Sequence, residues 1–188
     1  MQGALSMSEE LEVLKIVARR LDQADLPYMI SGSMAANYYT VPRMTRDIDV
    51  VIELNQADTD NFARVFQKDF YVDKELVKHE VLRKGMFNLI HNRSVIKVDF
   101  IIRKDAPFHR AAFSRRRKIR VDNNSLWLIT AEDLILAKLL WALDSHSEMQ
   151  IKDIRNLLVT VKDLDRAHIK AWVARLKLVE FYKEVAHE

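Results

Sequence analysis

Asp47-Ile48-Asp49 opens a β-branched run, Val50-Val51-Ile52, that reads as a strand. Side chains alternate with period two along a strand, so both carboxylates fall on one face. Two carboxylates held that close are costly unless one is protonated or a cation lies between them. The apolar run after them implies burial on both faces, and buried strands rarely carry two acids without a partner. A half-exposed strand alternating apolar and acidic residues is the plainer alternative. A third acid, Asp99, interrupts another apolar stretch, Val95-Ile96-Lys97-Val98-Asp99-Phe100-Ile101-Ile102. Three acids on neighbouring strands form an oxygen-only donor set, which suits Mg²⁺ or Mn²⁺ completed by water and substrate phosphates.

Ser31-Gly32-Ser33 lies upstream, after a short apolar strand and before a helix. Such a turn can present backbone N–H groups and a helix N-terminus to a phosphate, with the Ser33 hydroxyl as an added donor. Gly and Ser also occur in strand–helix turns for purely conformational reasons. Arg43 and Arg46 flank the acids and either contact a triphosphate or screen the carboxylates. Lys138 is the only charge between Leu134 and Leu143, in a helix apolar nearly all round. Its ammonium either meets an anionic partner in the site or snorkels to the surface.

The elements that must position these groups follow from periodicity. Residues 8–23 form a helix, with Leu11, Leu14, Val17 and Leu21 at helical spacing and Ser6 or Ser8 as cap. Tyr28-Met29-Ile30 is a short buried strand, Met34 to Tyr39 a short helix closed by Pro42, and 46–53 the strand of the paired acids. Asn55 to Phe66 is helical, and Val72 to Lys84 is charged and weakly helical. Met86–Ile90 and Ser94–Ile102 are strands joined by a turn at His91-Asn92-Arg93. Residues 106–114 form a helix, and Lys118–Val121 and Ser125–Ile129 pair as edge strands. From Thr130, capped through Asp133, the chain is helical, with a core face at Ile169, Trp172, Val173 and Leu176.

Composition bounds the remaining possibilities. The 188 residues are 49% hydrophobic and 30% charged, as in a globular protein able to bury a core. The absence of cysteine excludes disulfides, thiolate zinc and cysteine nucleophiles. The 6 histidines lack ligand spacing, and the three tryptophans, Trp127, Trp141 and Trp172, read as core or interface residues. No signal peptide or bilayer-spanning run is visible, so cytoplasm is the expected compartment and no membrane is involved. The net charge of +3 does not by itself indicate nucleic acid. Arg115-Arg116-Arg117-Lys118-Ile119-Arg120, with Arg103, Lys104, His109 and Arg110 upstream, is the main basic density. It is a solvated face or an attractor of an anionic acceptor.

Gly32-Ser33, a spacer, Asp47-Ile48-Asp49 and later Val98-Asp99-Phe100 resemble the signature of the nucleotidyltransferase superfamily of polymerase-beta-like fold. Arg43-Met44-Thr45-Arg46-Asp47-Ile48-Asp49 and the run Thr130 to Leu139 are similar to the bacterial branch of minimal nucleotidyltransferases and abortive-infection toxins. Lys152-Asp153-Ile154-Arg155-Asn156 resembles that branch's Lys-Asp-x-x-Asp run, with Asn156 in place of the second acid. The resemblance spans roughly residues 28 to 157. It implies an α+β fold, a mixed sheet flanked by helices, with a core over 1–129 and a C-terminal helical region over 130–188.

By the same resemblance Asp47, Asp49 and Asp99 hold Mg²⁺ or Mn²⁺, and Asp99 helps deprotonate the attacking hydroxyl. Gly32 and Ser33 cradle the nucleoside triphosphate (NTP), and Lys138 approaches the site. The implied activity is metal-dependent transfer of a nucleoside monophosphate from an NTP to an acceptor, RNA or another anionic molecule, with an antitoxin protein as partner. A catalytically silent binding module and an antibiotic-modifying nucleotidyltransferase are the alternatives.

Overall fold

The structure is a computed structural model that describes residues 9–45 and 47–186. Among these, nine α-helices and one 3₁₀ turn, Gln56–Asp58, surround one mixed sheet. In chain order the elements are α1 (Glu9–Gln23), β1 (Tyr28–Ile30), α2 (Gly32–Tyr39), β2 (Asp47–Ile52), α3 (Thr59–Phe66), β3 (Phe70–Tyr71) and α4 (Lys74–Arg83). They continue with β4 (Met86–His91), β5 (Lys97–Ile102), α5 (Pro107–Arg115), β6 (Arg117–Val121) and β7 (Asn124–Leu128). The chain then runs through α6 (Ala131–Ser145), α7 (Glu148–Thr160), α8 (Arg166–Arg175) and α9 (Val179–Ala186).

The strands are ordered β3-β4-β5-β2-β1-β7-β6. β2 pairs with β5 in parallel, and β1 with β7 in parallel, while the other four pairings are antiparallel. Strand periodicity divides β2 into two sets. Ile48, Val50 and Ile52 are buried in the core, whereas Asp47, Asp49 and Val51 face the other way and keep some exposure. The apolar run Val50-Val51-Ile52 is therefore not buried equally on both faces, because the acid-bearing face borders a cleft. The core face of β5 packs its Phe100 edge-on against Phe62 of α3 at 5.1 Å and stacks it on Phe87 of β4 at 5.4 Å.

The second half of the chain joins the same core. Leu134, Leu136 and Leu139 of α6, Leu157 of α7 and Ile169 of α8 are buried with the sheet residues in one cluster. Thr130 caps α6, its side-chain oxygen accepting the Asp133 N–H at 3.3 Å. The buried Asp133 carboxylate then binds Arg115 and His168, tying α5, α6 and α8 together.

Several boundaries differ from those read in the sequence. β5 starts at Lys97, not Ser94, because the β4–β5 connection extends to Ile96. His91 and Ser94 hydrogen-bond within it, and Val95 is exposed at a φ of 58°. β3, two residues long, gives no period to read. β7 is an interior strand between β1 and β6, so only β6 of that hairpin is an edge. The caps assigned to Ser6 and Ser8 lie outside the described residues.

Candidate active site

The parallel β2–β5 register sets Asp49 opposite Asp99 and Asp47 opposite Lys97. All four side chains border one cleft of about 1030 Å³ between the sheet, α5, α6 and the chain after α2. Asp99 is buried, Asp49 partly buried and Asp47 exposed. Burial pushes the Asp49 carboxyl up, and Asp99 and Asp47 push it further, against the pull of Lys138 and of the Ser33 N–H that hydrogen-bonds it. Lys97, which the sequence reading passed over, binds Asp99 Oδ2 at 2.9 Å and stands 3.7 Å from Asp47 Oδ1. Its signal was available: Lys97 lies two residues before Asp99, hence on the same strand face.

The Gly32–Ser33 turn is fitted to Asp49. The Ser31 N–H donates to the Asp49 carbonyl at 3.0 Å, and the Ser33 N–H reaches the Asp49 side chain. Gly32 has a φ of +59°, and a Cβ there would overlap the Asp49 carboxylate. The turn is thus held against the acid pair by a residue that only glycine can supply.

Arg43 closes the other side. Asn37 of α2 fixes its backbone from both ends, accepting the Arg43 N–H at 3.0 Å and donating to its carbonyl at 2.8 Å. The guanidinium donates to Ser33 Oγ at 2.7 Å and to both oxygens of Asp153, at 3.1 and 2.9 Å. Asp153 also accepts from Lys138 Nζ at 2.9 Å, and Gln150 Oε1 accepts from the same ammonium at 2.7 Å. Lys138 and Asp153 are each only 4% exposed, so the lysine is buried rather than snorkelling. Burial pulls Lys138 down while Asp153 raises it. Burial would raise Asp153, but Arg43 and Lys138 outweigh it and hold the carboxyl low.

Sequence-assigned residues therefore separate into two adjoining groups. Asp47, Asp49 and Asp99 share the sheet face with Lys97, while Arg43 and Lys138 meet at Asp153, and Ser33 links the two through Asp49 and Arg43. Lys138 is bonded to Asp153 rather than to the three acids. Arg46 lies outside the described residues. Gln150 and Asn37 were not anticipated, since an amide carries no signal in a sequence until its partner is known.

The chain between β5 and α5, with the first turn of α5, lines the cleft with Arg103, Lys104, Phe108 and His109. His109 is pushed down by burial and then by Lys104 and Arg103, and its Nδ1 is buried without a hydrogen-bond partner. Trp141, read as core or interface, is 54% exposed at the cleft. The basic run is not one face: Arg115 pairs with buried Asp133, and Arg116 lies over Phe113 and Trp127. Arg117, Lys118 and Arg120 are exposed.

The donor chemistry fits a hard divalent cation. Asp47, Asp49 and Asp99 are oxygen donors on one strand face, and Asp99 Oδ1 is buried with no hydrogen-bond partner. Among the described residues no three acidic or histidine side chains are gathered as a ligand cluster, and Lys97 stands between two of the acids. Among the described residues, too, no helix is long and apolar enough to cross a membrane.

No family model and no curated protein matches the chain. Its backbone is nevertheless similar to solved structures. The antibiotic-resistance factor ANT(2'')-Ia, determined in solution, is 14% identical with a TM-score of 0.61, over 95% of this chain and 99% of that one. An antigenic nucleotidyltransferase-like protein from Paracoccidioides brasiliensis is 18% identical with a TM-score of 0.57, over 97% and 93%. The lincosamide antibiotic adenylyltransferase LnuA, solved with lincomycin bound, is 14% identical with a TM-score of 0.51, over 86% and 100%. At these identities the likeness is one of fold.

Proposed function

We propose that this chain, which has the nucleotidyltransferase superfamily fold, transfers a nucleoside monophosphate from an NTP to an acceptor and releases pyrophosphate. The observation that carries this reading is the register pairing of Asp49 with Asp99 beside the Gly32–Ser33 turn, in a cleft of about 1030 Å³. Asp47, Asp49 and Asp99 would hold Mg²⁺ or Mn²⁺, which when bound supplies Lewis-acid polarisation of phosphate oxygens.

The protein's own groups do the rest by positioning and charge. Ser33 and Arg43 bind the triphosphate, Arg43 turning from Asp153 to phosphate oxygens. Lys138 holds Asp153 as Arg43 turns. An acceptor hydroxyl enters beside Asp99, whose carboxylate takes its proton as the oxygen attacks the α-phosphorus. The new oxygen–phosphorus bond forms as the bridge to the β-phosphorus breaks, and pyrophosphate carries away the electron pair.

The acceptor side favours an anionic molecule such as RNA. Arg103, paired with Glu53 and Asp105, and Lys104, which forms none of the ion pairs among the described residues, both line the cleft, whereas Arg110, Arg117 and Lys118 do not. The attraction of Arg103 and Lys104 for phosphates would weaken with salt. The opposite reading, antibiotic modification, draws on the likeness to ANT(2'')-Ia, solved with adenylyl-2''-tobramycin. A polycationic acceptor needs acids, and beyond Asp47, Asp49 and Asp99 the described residues lining the cleft offer one carboxylate, Asp144 of α6, against Arg103, Lys104 and His109. A toxin role with a dedicated antitoxin partner, in the cytoplasm, rests on the branch resemblance of residues 43–49 and 130–139. Incubation with each α-labelled NTP, Mg²⁺ and a cell extract tests the reading, since label should enter RNA; label in no macromolecule counts against it.

A further inference from the structure

We propose that Lys97 is a built-in counter-ion that competes with the divalent cation for Asp99 and Asp47, so that the nucleotide-free protein holds metal weakly. This rests on the metal-dependent reading above and adds a residue that tunes it.

The inference comes from strand geometry. β2 and β5 run parallel with Asp47 opposite Lys97 and Asp49 opposite Asp99, so one face carries three acids and one cation in a four-residue block. The ammonium binds Asp99 Oδ2 at 2.9 Å and lies 3.7 Å from Asp47 Oδ1, occupying the position of positive charge between two of the acids. No described trio of acids or histidines is gathered into a ligand cluster. Asp99 uses one oxygen on Lys97, and its other oxygen is buried and unpartnered.

Lys97 is also built to leave. Its side chain is 42% exposed and reaches the cleft, so a four-carbon stem can swing outward without disturbing the core. A divalent ion arriving alone must displace this internal cation. One arriving with a triphosphate brings added negative charge, to which the released ammonium can turn. Lys97 is therefore a positioning residue whose charge couples metal entry to nucleotide entry.

The test is a Mn²⁺ titration of chelator-stripped protein without nucleotide, read by the magnetic resonance signal of free Mn²⁺. Lys97→Met keeps the stem, and Lys97→Gln provides a second neutral variant should the first misfold. Both are expected to bind Mn²⁺ at least about tenfold more tightly than wild type, given the strength of a unit charge at this range. Lys97→Arg should stay near wild type, which a purely structural role would not require. The gain should vanish when Asp99→Asn is added, since Asp99 is the carboxylate that Lys97 binds at 2.9 Å. Neutral variants matching a wild-type protein that binds Mn²⁺ would overturn the Lys97 role alone. A gain surviving Asp99→Asn would overturn it as well. Absence of Mn²⁺ binding in every variant would overturn both this role and the metal-dependent reading.

Discussion

Asp49 and Asp99 are register partners on adjacent parallel strands, and the Asp49 carboxylate fills the space that a side chain at Gly32 would need. Two carboxylates are thereby pressed together under a turn that only glycine permits. The arrangement costs stability in the free protein, and that cost is measurable.

The Asp49 carboxyl is raised above its ordinary value of 3.8, chiefly by burial and then by Asp99. A raised folded-state value contributes stability that is complete below the unfolded value and lost as pH rises through the folded one. In chelator at about pH 7, Asp49→Asn should therefore be more stable than wild type, and the gap should close towards about pH 4. Each kcal/mol gained raises the melting temperature by about 2–4 °C for a chain of this size. Nucleotide transfer by the same variant should be lost. Paired thermal melts across this range check the sign.

Gly32→Ala should damage both fold and site. The left-handed backbone alone costs about 1–2 kcal/mol for a residue with a Cβ, before the overlap with Asp49 is counted. A melt showing no loss, with NTP affinity unchanged, would contradict the close packing described.

Asp153 and Lys138 should not be equivalent on removal. Asp153→Ala strands a buried ammonium and should cost about 3–5 kcal/mol. Lys138→Met leaves Asp153 bonded to Arg43 and should cost distinctly less, while lowering turnover. Denaturant unfolding of the two variants, with activity measured alongside, separates these effects.

Ser33 and Arg43 should act on the nucleotide as a unit, because the guanidinium donates to the Ser33 hydroxyl at 2.7 Å. Ser33→Ala should weaken NTP binding by about 0.5–3 kcal/mol, the range for neutral to charge-assisted hydrogen bonds. A double-mutant cycle with Arg43→Ala should show coupling of about 0.5–3 kcal/mol, measured by NTP titration.

The acids were legible because each breaks an apolar strand period, and strand period is a local property. Gly32-Ser33, the α1 repeat of Leu11, Leu14, Val17 and Leu21, and the lone charge of Lys138 were legible for the same reason. What stayed hidden depends on partners distant in the chain. Asp153 became a shared anchor only when α7 was placed beside Arg43 and Lys138. Lys97 was within reach, two residues before Asp99 on one strand face, but its approach to Asp47 depends on the β2–β5 register, which no stretch of sequence specifies. The β4–β5 turn was misjudged because Val95 and Ile96 are β-formers, yet the His91–Ser94 hydrogen bond extends the loop through them.

The transfer reaction itself is tested most directly by the fate of two labels. Wild-type protein and Asp99→Asn are each incubated with Mg²⁺, cell-extract RNA and an NTP labelled at either the α- or the γ-phosphate. Label from the α-phosphate should appear on RNA in step with pyrophosphate formation, γ-label should appear only in pyrophosphate, and Asp99→Asn should give neither. Label from the γ-phosphate on the acceptor, or undiminished α-label transfer by Asp99→Asn, would contradict the assignment.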